Sequence, residues 1–238
     1  MIQSSKPLAP NWEVAQLDET LATVLRRVYG WMALGLLVTA GVVAAVSVSP
    51  LMGLLAANPA LMWGMFLVEI GLVLGISFGI KRLSPQTAVS LFFLYAAVNG
   101  VTLAFMFAVY TLGSVAVAFG STAVLFGTMS IIGYTTKVDL SRFGRFFLFA
   151  LVGIVIASVI NMFWSNSVLS WIVTYVGMFI FLGLTVYHTQ RIKRQVAAAL
   201  AQHDELQLSR ISILGALVLY LDFINLFLRL LRITGRRR

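Results

Sequence analysis

Cysteine is absent from this 238-residue chain, which excludes disulfides, thiolate metal sites and thiol nucleophiles. Acid is scarce as well: eight Asp and Glu against 17 Lys and Arg, with only two histidines. Charged residues make up 11% and hydrophobic ones 60%, whereas a soluble domain is about a quarter charged. The composition is that of a membrane protein. No HExxH, no GxGD around an acid and no glycine-rich phosphate loop with its lysine occurs. His203 lies in a polar connection, away from His188. Without a nucleophile–base pair or a metal-ligand cluster, no catalytic residue, enzymatic activity or cofactor is expected.

What the chain does have is seven apolar runs, at roughly 28–48, 60–80, 86–110, 115–136, 146–164, 169–188 and 211–231. Each approximates the ~20 residues that carry a helix across a bilayer core. The net charge of +9 is confined to clusters between these runs, which argues for topology determinants and anionic lipid rather than nucleic acid. Lys6, Arg26, Arg27, Lys81, Arg82, Lys137, Arg142, Arg145, Arg191, Lys193, Arg194 and Arg210 fall on one side. The opposite loops, "SPLMGLLAANPA", "TLGS" and "SNSV", hold no basic residue. That asymmetry predicts a cytoplasmic amino terminus. Seven spans then place the basic tail "RITGRRR" outside, against the rule. Residues 1–24, with Pro7, Pro10, Glu13, Asp18 and Glu19, lack the pattern of a signal peptide. They read as a cytoplasmic tail leading into an interfacial segment, followed by a transmembrane domain over 25–232 and a basic tail over 233–238.

Two of the acids, Glu69 and Asp222, fall near the middle of predicted spans. A charged Asp there costs about 2.5–3.5 kcal/mol on insertion scales, so each needs a partner or a wet cavity. The bland reading is a protonated carboxyl that bonds between helices. Around Asp222 the helical period puts Gly215, Asn225 and Arg229 on the same face. Gly215 would admit a neighbouring helix closely, Asn225 would set an amide beside the acid, and Arg229 would neutralise it. On spacing alone His188, at the end of the sixth run, is an interfacial side chain. Asn99, Thr102, Ser130 and Asn161 are expected to bond between helices.

The run "SILGALVLYLDFINLFLRLLR" at 212–232 closely resembles the last transmembrane helix of the Bax inhibitor-1 family. "GYTTKVDLS" at 133–141, "YHTQRIK" at 187–193 and "VYGWMALGLL" at 28–37 resemble other segments of it. The resemblance implies an all-α bundle of seven transmembrane helices in which the last is central, enclosed by six, in a bacterial inner membrane. It also implies a pH-sensitive calcium leak governed by an aspartate pair on helices six and seven. The second aspartate matches Asp222, while the first is replaced by His188. Arg82, or Lys81, would match a basic latch to that pair, and Glu69 loosely matches a helix-two glutamate. Two carboxylates sharing a site repel, whereas an imidazole attracts the remaining one. The replacement also removes a carboxylate from any calcium site, and calcium takes six to eight oxygens. Any calcium contact at Asp222 and Glu69 is therefore expected to be weak.

Depth raises a conflict. His188 falls at the cytoplasmic edge of its run, while Asp222 lies about 16 Å into the seventh. The pairing requires helix seven to begin beyond the bilayer surface, or helix six to lie deeper. Two functions are carried forward. One is a proton-gated leak for calcium or another cation, with Asp222 and His188 as sensor and Arg82 as counter-charge. The other is a regulator of membrane-protein quality control or stress survival that binds a membrane protease or translocon and carries no flux.

Overall fold

The computed structural model describes residues 11–202 and 204–237; Lys6, Pro7, Pro10, His203 and Arg238 lie outside them. Seven helices among these residues are long and apolar enough to cross a membrane. In chain order the elements are α1 (Asn11–Ser47), a short α2 (Leu51–Ala57), α3 (Pro59–Gly79), α4 (Pro85–Val109), α5 (Leu112–Thr135), a 3₁₀ turn (Leu140–Phe143), α6 (Gly144–Trp164), α7 (Ser167–Ala201) and α8 (Glu205–Thr234). Local chemistry sets several of the ends. Ser84 accepts a bond from the Thr87 amide and precedes Pro85 at the first helical position, a paired start signal. Thr111, Asn166 and Asp204 cap α5, α7 and α8 in the same way. α6 ends on Ser165 in the left-handed region, φ 47°.

Three boundaries differ from the hydropathy reading. α1 absorbs residues 11–24 into one continuous helix, so among the described residues no separate interfacial segment precedes the first span. α7 continues past His188 to Ala201, and α8 begins at Glu205. α7 and α8 are thus 35 and 30 residues long, about 52 and 45 Å, against a hydrocarbon core of roughly 30 Å. Beyond the apolar runs come "VAAALA" and "ELQLSR", which keep helix propensity while losing hydropathy. The extra length is covered by α1: Leu21 and Val24 are buried, as are Val196 and Ala199 of α7 and Ile211 of α8, all in one core cluster. The result is a three-helix cap continuing the bundle past the apolar spans.

α8 is the most buried span. In its most apolar stretch 72% of the residues are buried, against 39% or less in the other six. It packs mainly on α7, α1, α5 and α4, while α3 leans on α4 and α6 on α7. Four helices, not six, make its close wall. The basic loops gather at one end of the bundle: Arg210 Nη2 bonds the Lys81 carbonyl at 2.7 Å, and Arg194 Nη1 bonds Asp139 Oδ1 at 2.6 Å. The tail meets the opposite end, where Arg237 bridges to Tyr110 and the Arg236 amide bonds Ser114 Oγ at 2.9 Å.

Candidate functional site

α7 and α8 form an antiparallel hairpin. His188 Nδ1 lies 2.7 Å from Asp222 Oδ2, with the two side chains 17% and 3% exposed. The conflict over depth is resolved by the helices outrunning the membrane. Thirteen residues of α7 separate His188 from Ala201, about 20 Å, and 17 of α8 separate Glu205 from Asp222, about 25 Å. The apolar runs end near residues 188 and 211, whereas the helices of the hairpin continue to Ala201 and start at Glu205. On its open side His188 shares a cavity of about 180 Å³ with Ser77 of α3, Arg191 and Gln195 of α7, and Gly215 and Val218 of α8. Gly215 lets the helices approach closely there: a Cβ would sit 2.9 Å from Ile192 Cδ1 and 3.1 Å from Val28 Cγ2, and both side chains would have to shift.

The other residues singled out near Asp222 go elsewhere. Asn225 Nδ2 folds back to the Leu221 carbonyl at 2.9 Å. Arg229 does not neutralise Asp222: its guanidinium stacks over the Phe181 ring, 5.0 Å from the centroid, and packs against Gly177. The same face holds them, but Arg229 lies two turns further along α8 and finds an aromatic partner on α7. Arg232 reaches Ser170 near the start of α7. Lys81 and Arg82 are exposed in the α3–α4 turn and belong to neither of the two ion pairs among the described residues, His188–Asp222 and Arg194–Asp139. A latch from Arg82 to the pair is not formed.

Glu69 occupies a separate polar site. Its Oε1 accepts from Thr102 Oγ1 at 2.5 Å and its Oε2 from Asn99 Nδ2 at 3.4 Å. Asn99 Oδ1 in turn accepts from the Tyr220 hydroxyl at 3.1 Å, and that hydroxyl lies 2.6 Å from Thr39 Oγ1. One hydrogen-bonded chain therefore joins α3, α4, α8 and α1. Tyr220 and Thr39 were not anticipated; a tyrosine in an apolar run, whose buried hydroxyl demands a partner, was the available signal. Each carboxylate is held by a different element, and no group of three or more metal-ligating side chains occurs among the described residues. Asp222 and Glu69 are thus not one ligand set. Asn99 and Thr102 do bond between helices, but Ser130 Oγ and Asn161 Oδ1 find no partner among the described residues.

Comparison with known proteins gives a consistent picture. The family model described as "Inhibitor of apoptosis-promoting Bax1" matches residues 21–238. The chain is 47% identical over 226 residues to the inner membrane protein YbhL of Escherichia coli K12, covering 94% of this chain and 96% of that one. It is 39% identical over 237 residues to an uncharacterised protein of Deinococcus radiodurans, and 38% over 239 residues to the uncharacterised protein RP147 of Rickettsia prowazekii, with full coverage in both cases.

Proposed function

The chain belongs to the Bax inhibitor-1 family, and from that premise we propose that it is a non-catalytic, pH-sensitive cation leak of a bacterial inner membrane, with calcium the first ion to test. The observation that carries this reading is the 2.7 Å contact of His188 with buried Asp222 beside a cavity of about 180 Å³. Ionised, the two attract and hold α7 against α8; a proton that neutralises Asp222 removes the attraction and the negative charge together. Only one carboxylate stands at this point, so a calcium ion would keep most of its water and pass without tight capture. The basic loop clusters support a cytoplasmic amino terminus, and an odd number of spans then carries the carboxyl terminus outside, against the charge of its tail.

The test is calcium entry into liposomes holding the purified protein at pH 6, 7 and 8. Entry should vary with pH in the wild type and lose that variation in Asp222→Asn. His188→Asp, which restores two carboxylates, should shift the pH range of the response. Entry no greater than into protein-free liposomes at every pH would sink the leak reading.

A second reading rests on the three-helix cap. Around a polar cleft of about 670 Å³ it gathers Glu19 and Arg27 of α1 with Asp204 and Glu205 at the α7–α8 turn. A membrane protease or translocon would meet this surface. Deleting residues 1–20 would then abolish function while Asp222→Asn stayed silent.

A further inference from the structure

Between α1 and α5 the bundle has a lateral crevice of about 650 Å³ that serves neither carboxylate site. The two helices both pack on α8 without packing closely on each other. One wall is the stripe of Ala22, Leu25, Tyr29 and Ala33 on α1, and Phe223 of α8 also lines the crevice. From Ala22 to Ala33 this wall runs about 16 Å along the helix axis, half of a hydrocarbon core of about 30 Å. The crevice runs from the cap into the first apolar stretch, which begins near residue 28.

Two features make it more than a gap for solvent chains. Ser130 of α5 and Thr189 of α7 both line it, are 7% and 1% exposed, and have hydroxyl oxygens with no partner among the described residues. Five hydroxyls on the same two helices (Thr122, Thr128, Thr135, Thr174 and Thr185) donate to the carbonyl four residues earlier. A hydroxyl in an apolar span ordinarily takes that bond, and a buried one left without it is costly. The second feature is the basic rim. Lys193 Nζ sits 4.9 Å from the ring centroid of Tyr134, which lines the crevice. Exposed Arg26 falls on the same α1 stripe, one turn from Ala22. The acid on that stripe, Asp18, is a further turn away from the apolar part.

We propose that this crevice binds one anionic phospholipid of the leaflet at the basic end. Its acyl chain lies between α1 and α5, its ester carbonyls accept from Ser130 and Thr189, and its phosphate faces Arg26 and Lys193. Neither proton gating nor calcium flux is required for this binding.

Native mass spectrometry of the detergent-solubilised protein titrated with phosphatidylglycerol tests it directly. A Cβ at Gly127, which lines the crevice, would meet nothing within 4 Å, so Gly127→Leu fills the space without displacing a neighbour. Ala33→Phe fills it from the opposite wall. The wild type should retain one phosphatidylglycerol, and each filling variant, shown folded by an unchanged melting temperature, should weaken retention tenfold or more. Arg26→Ala with Lys193→Ala should lower retention of phosphatidylglycerol to that of phosphatidylcholine. Ser130→Ala with Thr189→Val should weaken both lipids alike. Equal retention by the wild type and both filling variants would overturn the proposal. So would equal retention of the two lipids by the wild type, or displacement of the phospholipid by an equimolar fatty acid, which would make a free single chain the occupant.

Discussion

At the scale of single residues, the two buried carboxylates are stabilised by different means. Asp222 has one strong partner, the His188 imidazole, 2.7 Å away. Glu69 has neutral donors and stands at the head of a chain that ends on Thr39. Tyr220→Phe separates the two, because it removes the donor to Asn99 Oδ1 while Thr39 keeps the Gly35 and Ala96 carbonyls within reach. The variant should lose about 1–2 kcal/mol of stability, read as a lower melting temperature in detergent, with the pH response of ion entry intact. An unchanged melting temperature would show that the chain contributes nothing. Asp222 announced itself in the sequence as a charge in an apolar run. His188 did not: by spacing alone it was an interfacial side chain, and only the resemblance paired it with Asp222. Thr39, Ser130 and Thr189 gave less signal still, since a hydroxyl in a membrane helix ordinarily bonds its own backbone and carries no further message.

Among the elements, the connection between α5 and α6 is fastened to α7 by polar contacts. Asp139 accepts from the Ser141 amide at 2.9 Å and from Arg194 Nη1 at 2.6 Å, while Gln190 Nε2 donates to the Val138 carbonyl at 2.7 Å. Chiefly through the Ser141 amide, the Asp139 carboxyl is held below its ordinary range. A folded-state value that is lowered stabilises the fold above the unfolded value and is lost as pH falls through the lowered one. Wild type should therefore melt above Asp139→Asn at pH 6, and the difference should begin to narrow below about pH 4, where free aspartate takes up its proton, and close once pH has fallen through the lowered folded-state value. Melting curves at pH 6, 4 and 3 check this; a gap that does not narrow at all between pH 6 and pH 3 would point to packing instead of charge. Elements were legible in the sequence where lipid imposes a limit: all seven spans lie where the apolar runs predict. The ends of α7 and α8 and the start of α1 were not, because outside the bilayer helix propensity and tertiary cover decide the length, and neither leaves a hydropathy mark.

Over the whole molecule, cap and spans share one core cluster, and we predict that the cap loosens before the spans do. Leu21 and Val24, each 2% exposed, carry much of the cap's core, and truncating a buried Leu to Ala typically costs about 2–5 kcal/mol. Leu21→Ala should speed proteolysis just beyond Ala201, where α7 ends, while the spans still melt near the wild-type temperature; unchanged protection would mean the cap is held by something else. α8, the most buried helix, also stands in the order of synthesis after every helix that covers it. While the ribosome is still making it, α1, α4, α5 and α7 hold an uncovered cleft, and His188 has no partner. The arriving segment brings Asp222 near the centre of its span, which adds about 2.5–3.5 kcal/mol to the cost of entering lipid alone, and Arg229 and Arg232 towards its end. Insertion of α8 and closure of the bundle are then a single event: the cleft made by the earlier helices is the solvent into which α8 partitions.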